Sequence, residues 1–235
     1  MSAPPRATRW LARGFEVFAK GCPRLRPLLP AAVIAASWPA CHDGEGPLVA
    51  FLGDSLTSGW RLSEDEAYPA VLGRTLAEHG RPVRVLNAGV SGDTAAQGLA
   101  RLPAVLAHEP DVLAVALGVN DGLRGLPLED AEAALRRILD EGRAAGAELL
   151  LVGVRIPEDA HGAEHSSGFA LMYAGLAAEY RVTLVPDLLA GVSGRSEWLF
   201  PDGLHPNAPG QVRLAENVRP HLELVLATLD SEHDL

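Results

Sequence analysis

The sequence predicts an α/β protein, a three-layer α/β/α sandwich around a central, mainly five-stranded parallel sheet. Three observations carry that expectation. Five short apolar runs, LVAFLG, VRVLNA, DVLAVALG, ELLLVGV and VTLVPD, begin at Leu48, Val83, Asp111, Glu148 and Val182. Longer stretches of helical period separate them. The runs are continuously apolar rather than alternating, which suits strands covered on both faces.

Taken in order, the elements support this reading. LVAFLG is short, closed by glycine, and runs into GDSLTSGW, where Ser55 is placed to start a helix. A helical pattern follows over Tyr68–His79, and the second strand runs into NAGVSGDT. The pattern over Thr94–Ala107 leads to the third strand, which ends in GVNDGLRG. LEDAEAALRRILDEGRAAG then places Leu128, Ala131, Leu135, Ile138 and Leu139 on one stripe, with Gly146 as its C-terminal stop. After the fourth strand, Phe169–Tyr180 reads as a helix, and after the fifth, PDGLHPNAPG precedes a helix over Gln211–Leu226.

Composition bounds the possibilities. The chain has 235 residues, enough for one well-filled domain. Thirty acidic against twenty basic side chains give a net charge of -10, which argues against a general nucleic-acid binder. Residues 1–46 read as a basic and apolar leader, 47–229 as the main domain and 230–235 as an acidic tail. In the leader, arginines precede LLPAAVIAASWPAC, a basic segment, a short apolar core and a small-residue exit. That is the pattern of an export signal, and it is too short for an ordinary membrane span. Cleavage after Ala40 would leave Cys41 first, as in a lipoprotein, although WPAC departs from the usual small-residue form. The expectation is therefore an exported protein, periplasmic or lipid-anchored, with membrane contact only through the leader; a disordered leader on a cytoplasmic protein is the alternative. Cys22 and Cys41 both lie there, so the main domain has no disulfide, thiol nucleophile or thiolate metal site.

Four polar loops fall on one rim, the carboxyl ends of the strands, where open α/β sheets bind ligands. Ser55 alone would pass for a helix N-cap. Asp202 and His205 change its meaning. A hydroxyl needs a base to become a nucleophile, and histidine is the side chain suited to that near neutrality. The imidazole needs a carboxylate on its other nitrogen, and a turn between Pro201 and Pro206 can bring Asp202 back to His205. Acyl transfer also needs donors for an oxyanion, for which the Ser55 and Gly92 amides and the Asn120 side chain are the candidates.

The blocks FLGDSLTSGW, NAGVSGDT, LGVND and DGLHPN resemble those of the GDSL or SGNH hydrolases. SGDTAAQGLARLPAVL, NDGLRGLP and VRIPEDA are similar to its thioesterase, lysophospholipase and arylesterase branch. The resemblance covers nearly the whole main domain and implies a flavodoxin-like fold. It also implies nucleophile Ser55, oxyanion residues Ser55, Gly92 and Asn120, acid Asp202 and base His205. One departure is Val119, where this branch commonly has glycine; a valine there should narrow the oxyanion loop. No metal or organic cofactor is called for, and a monomer is expected.

Trp60, Leu123, Leu126, Pro127 and Ile156 are candidates to line an acyl or aryl groove, since ligand sites are mostly apolar. Trp198 and Phe200 could serve that groove or simply pack loops. His161 to His165, HGAEH, matches the inverted zinc-protease signature, but Pro157, Gly162 and Ser166-Ser167-Gly168 disfavour the helix that chemistry needs. A polar, mobile loop above the site is expected instead. The function expected is hydrolysis of acyl esters and thioesters, with aryl esters and lysophospholipids among the candidates. A carbohydrate O-acetyl esterase using the same residues, or a non-catalytic binding module of the same fold, are the rival readings.

Overall fold

A computed structural model describes residues 46–233. Apart from Gly46, the leader lies outside the described residues, as do the last two positions. The strands are β1 (Leu48–Gly53), β2 (Arg84–Gly89), β3 (Val112–Ala116), β4 (Glu148–Val152) and β5 (Thr183–Val185). They form one sheet in the order β2-β1-β3-β4-β5, with every neighbouring pair parallel. Every residue of β1 and β3 is buried, which is why those runs are apolar throughout.

The helices are α1 (Ser55–Ser58), α2 (Tyr68–Glu78), α3 (Ala95–Leu106), α4 (Val119–Leu123), α5 (Leu128–Ala144), α6 (Glu158–His161), α7 (Ala163–Tyr180) and α8 (Ala208–His233). α2 packs on α8, while α5 lies between α3 and α7. The stripe expected on α5 is its buried face: Ala131, Leu135, Ile138 and Leu139 are covered, and Leu128 at its start is partly buried against the same core. Inside, the Phe51 ring meets Tyr68 edge-on at 5.6 Å, joining β1 to α2.

Two helices exceed their sequence patterns. α7 begins at Ala163, not Phe169, because its polar first turns are held from outside. The Ser166 hydroxyl donates to the Ile156 carbonyl at 2.5 Å, and His165 Nε2 meets the Gly122 carbonyl at 2.9 Å. α8 starts at Ala208, where the Asn207 side chain accepts the Gly210 amide at 3.0 Å. It continues through the expected acidic tail to His233, and Asp230 pairs there with Arg81 of the loop after α2.

Candidate active site

The turn from β1 into α1 begins the site. Gly53 is required by crowding, since a Cβ there would lie 2.0 Å from Thr57 Oγ1. Asp54 caps α1, its Oδ1 accepting the Leu56 amide at 2.9 Å. Ser55 is thereby freed from capping, and its amide is among those a helix start leaves without an intrahelical acceptor. Its Oγ lies 3.0 Å from Nε2 of His205, 150 positions along the chain.

Asp202 and His205 share one tight turn. Phe200 N donates to the His205 carbonyl at 2.8 Å, and a bridge between Leu199 and Pro206 closes the loop. Within it Asp202 Oδ1 accepts the amides of Leu204 and His205, both at 3.0 Å, while Oδ2 lies 2.9 Å from His205 Nδ1. Partial burial raises the Asp202 carboxyl, but those two amides and the imidazole outweigh it and hold it down to about 2. An ionised carboxylate only accepts, so Nδ1 carries the proton and Nε2 presents its lone pair to the Ser55 hydroxyl.

A cavity of about 300 Å³ opens above Ser55, lined among others by Leu56, Gly92, Val119, Asn120 and Leu123. Gly92 has φ 87, a left-handed conformation that favours glycine, and its amide makes no hydrogen bond among the described residues. An added Cβ would meet nothing closer than Arg124 Nη2 at 3.5 Å, so conformation rather than crowding selects glycine here. Asn120 donates one amide hydrogen to the Asp93 carbonyl at 2.9 Å, which fixes the side chain and leaves the second for a ligand. The structure thus brings Ser55, Gly92, Asn120 and His205 to one cavity, with Asp202 behind the histidine.

Of the groove candidates, Trp60 and Leu123 line this cavity. Leu126, Pro127 and Ile156 do not. Ile156 is 1% exposed and packs beneath α4, where its Cδ1 lies 2.4 Å from the position of a Cβ on Gly122. Leu126 turns back to Asp121, its amide donating to that carbonyl at 3.0 Å, and Pro127 precedes α5 as its N-cap. Trp198 packs against the core beneath the Arg213 guanidinium, and Phe200 meets the edge of Trp60 at 5.9 Å. Val119 is buried and lines this cavity, and it also borders a void of about 10 Å³ that Asp54 lines as well.

The HGAEH segment is helical, not a loop. His161 ends α6 and His165 lies in the first turns of α7, with Gly162 at φ 90 breaking the two apart. Their Nε2 atoms contact the Leu123 and Gly122 carbonyls at 3.1 and 2.9 Å, so the pair braces the C-terminal end of α4, the helix that carries Asn120.

Sequence reasoning missed the supports beneath the site. Arg101 reaches Asp93 Oδ2 at 2.5 Å and donates to the Ala88 and Gly53 carbonyls, both at 2.6 Å, tying the ends of β1 and β2 to the loop that carries Gly92. Fully buried Gln211 accepts the Tyr68 amide at 2.8 Å and donates to the Leu56 carbonyl at 3.2 Å. Asp121 accepts the Ala95 amide at 2.9 Å, and burial raises its carboxyl against that bond. Burial pushes Asp54 up to about 7, with Asp93 and Asp121 adding to the rise and the Leu56 amide and Arg101 opposing it.

The model of the GDSL-like Lipase/Acylhydrolase family matches residues 51–213. The chain is 40% identical over 176 residues to the esterase TesA of Pseudomonas aeruginosa, a match spanning 74% of this chain and 87% of that protein. It is 41% identical over 173 residues to the thioesterase 1/protease 1/lysophospholipase L1 of Escherichia coli strain K12, covering 73% and 81%. A crystal structure of TesA superposes with a TM-score of 0.72 at 40% identity, over 76% of this chain and 98% of that one.

Proposed function

The chain belongs to the GDSL-like lipase/acylhydrolase family, and on that premise we propose that it hydrolyses acyl esters and thioesters through an acyl-enzyme on Ser55. The observation that carries this reading is the unbroken relay from Asp202 through His205 to Ser55 Oγ, at 2.9 and 3.0 Å, ending in an apolar cavity that the three candidate donors Ser55, Gly92 and Asn120 also line.

The steps follow from the geometry. Nε2 of His205 takes the hydroxyl proton as Ser55 Oγ attacks the acyl carbon. The carbonyl oxygen, now an oxyanion, is held by the amides of Ser55 and Gly92 and by Asn120. Asp202 stabilises the imidazolium through Nδ1 and stays ionised throughout. The imidazolium then gives its proton to the departing alcohol or thiol, leaving the acyl group on Ser55. In the second half, His205 takes a proton from water, hydroxide adds to the acyl carbon, and the carboxylic acid departs as Ser55 regains its proton.

Leu56, Val119, Leu123 and Leu204 give the cavity an apolar lining that favours an acyl or aryl group over a sugar ring. A p-nitrophenyl ester series tests both parts. Wild type should turn over esters, with octanoyl preferred to or matching acetyl, and Ser55→Ala should lose nearly all turnover while folding normally. Wild-type turnover in Ser55→Ala would overturn the mechanism, and a steep preference for acetyl would overturn the acyl groove.

A further inference from the structure

Trp60 stands in the cavity wall, yet one face of its ring is already occupied. The His205 imidazole stacks on it with centroids 4.1 Å apart and planes 23° from parallel. The Arg61 guanidinium carbon lies 4.2 Å from the same indole's centroid. Two planar groups cannot share one indole face at those distances, so they take opposite faces and Trp60 is sandwiched between them. Phe200 meets the ring in an edge-type contact with centroids 5.9 Å apart. Arg61 holds a φ of 62, an uncommon left-handed conformation for a side chain of its size, and this is the backbone from which it reaches the indole.

We propose that Trp60 is a positioning residue for the histidine base, holding the imidazole in line with Ser55, and that Arg61 on its far face tempers how readily that imidazole takes a proton. This rests on the hydrolase reading above. The indole supplies a flat surface that leaves the imidazole free to lie between Asp202 and Ser55 but not to swing out of line. Its π face also favours the imidazolium formed when Ser55 attacks. The guanidinium draws on the same π system from the other side and opposes that preference. The other groups in contact with the imidazole are Asp202 on Nδ1 and Ser55 on Nε2. Since the stacked face is spent on His205, the indole offers substrate little more than an edge.

The test compares Trp60→Leu, Trp60→Tyr and Arg61→Asn with wild type on p-nitrophenyl acetate. Asparagine tolerates the left-handed backbone at position 61, so that variant keeps its fold. In Trp60→Leu, kcat should fall about tenfold with KM within about twofold, and Trp60→Tyr should recover most of the loss. The acid limb of kcat/KM should move by roughly half a pH unit, downward in Trp60→Leu and upward in Arg61→Asn. A raised KM with unchanged kcat would make Trp60 a substrate wall and overturn the proposal, as would unmoved acid limbs. A second readout needs no turnover. Protonation of a stacked imidazole quenches indole emission, so wild-type fluorescence should step with pH, and the step should vanish in Trp60→Tyr and in His205→Gln. An inactive wild type that keeps this step sinks the hydrolase reading alone; an active wild type without it sinks the stack.

Discussion

Asp54 offers a sharp test of how this site is built. Its carboxyl is 1% exposed, caps α1 through one oxygen, and is pushed up to about 7 chiefly by burial. An aspartate in an unfolded chain titrates near 3.9. Between those values the native protein holds a proton that the unfolded chain has released, so this group makes stability fall as pH rises. Above about 7 the native carboxyl also ionises and the full cost stands. The difference, about three pKa units at ~1.4 kcal/mol each, amounts to roughly 4 kcal/mol. Asp54→Asn removes the charge and keeps an oxygen for the Leu56 amide. Urea unfolding followed by circular dichroism, from about pH 4 to about pH 8, should show the variant gaining on wild type by ~1.4 kcal/mol per unit until about pH 7, then levelling. A difference that stays flat across that range would mean Asp54 is ionised like a surface carboxylate, and the reasoning from burial would be refuted.

Four further outcomes follow from other contacts. Asn120→Ala should lower kcat for p-nitrophenyl esters by about 10²–10³ with little change in KM, because the lost donor serves the oxyanion and not the ground state. Asp202→Asn should cost on the order of 10⁴ in kcat by destroying the preferred tautomer, as loss of the aspartate does in the Ser-His-Asp triad of serine proteases. Since Asp202 is held down to about 2, it is ionised at every pH above that, and the wild-type acid limb of kcat/KM should fall well above pH 2. Arg101→Leu should destabilise the fold by about 3–5 kcal/mol in thermal or urea unfolding, because it strands the buried Asp93 carboxylate.

What could be read in advance was whatever the sequence encodes locally. Strands buried on both faces write themselves as unbroken apolar runs, and β1 and β3 are the clearest cases. Asp202 and His205 lie three apart inside a proline-bounded turn, so their meeting was legible too. Elements stabilised from afar were not. α4 is a five-residue helix containing a glycine, held by histidines more than thirty positions away, and nothing in Val-Asn-Asp-Gly-Leu itself demands a helix. The first turns of α7 carry no apolar stripe and depend on the same contacts. Arg101 looks like a surface residue of an amphipathic helix until the fold turns it inward onto carbonyls of two strands. Trp60 was legible as a rim aromatic, but which group it touches depends on a loop that arrives some 140 residues later in the chain.

Because the proton-handling pair is assembled inside one six-residue turn, it behaves as a cassette clipped onto the sheet. A single contact, Ser55 to His205, joins that cassette to the hydroxyl it serves. Lifting the turn by an ångström or two would uncouple the machinery while leaving both halves internally whole. Loss of turnover on warming should therefore precede loss of secondary structure, so that catalysis reports the seating of one loop rather than the integrity of the whole protein.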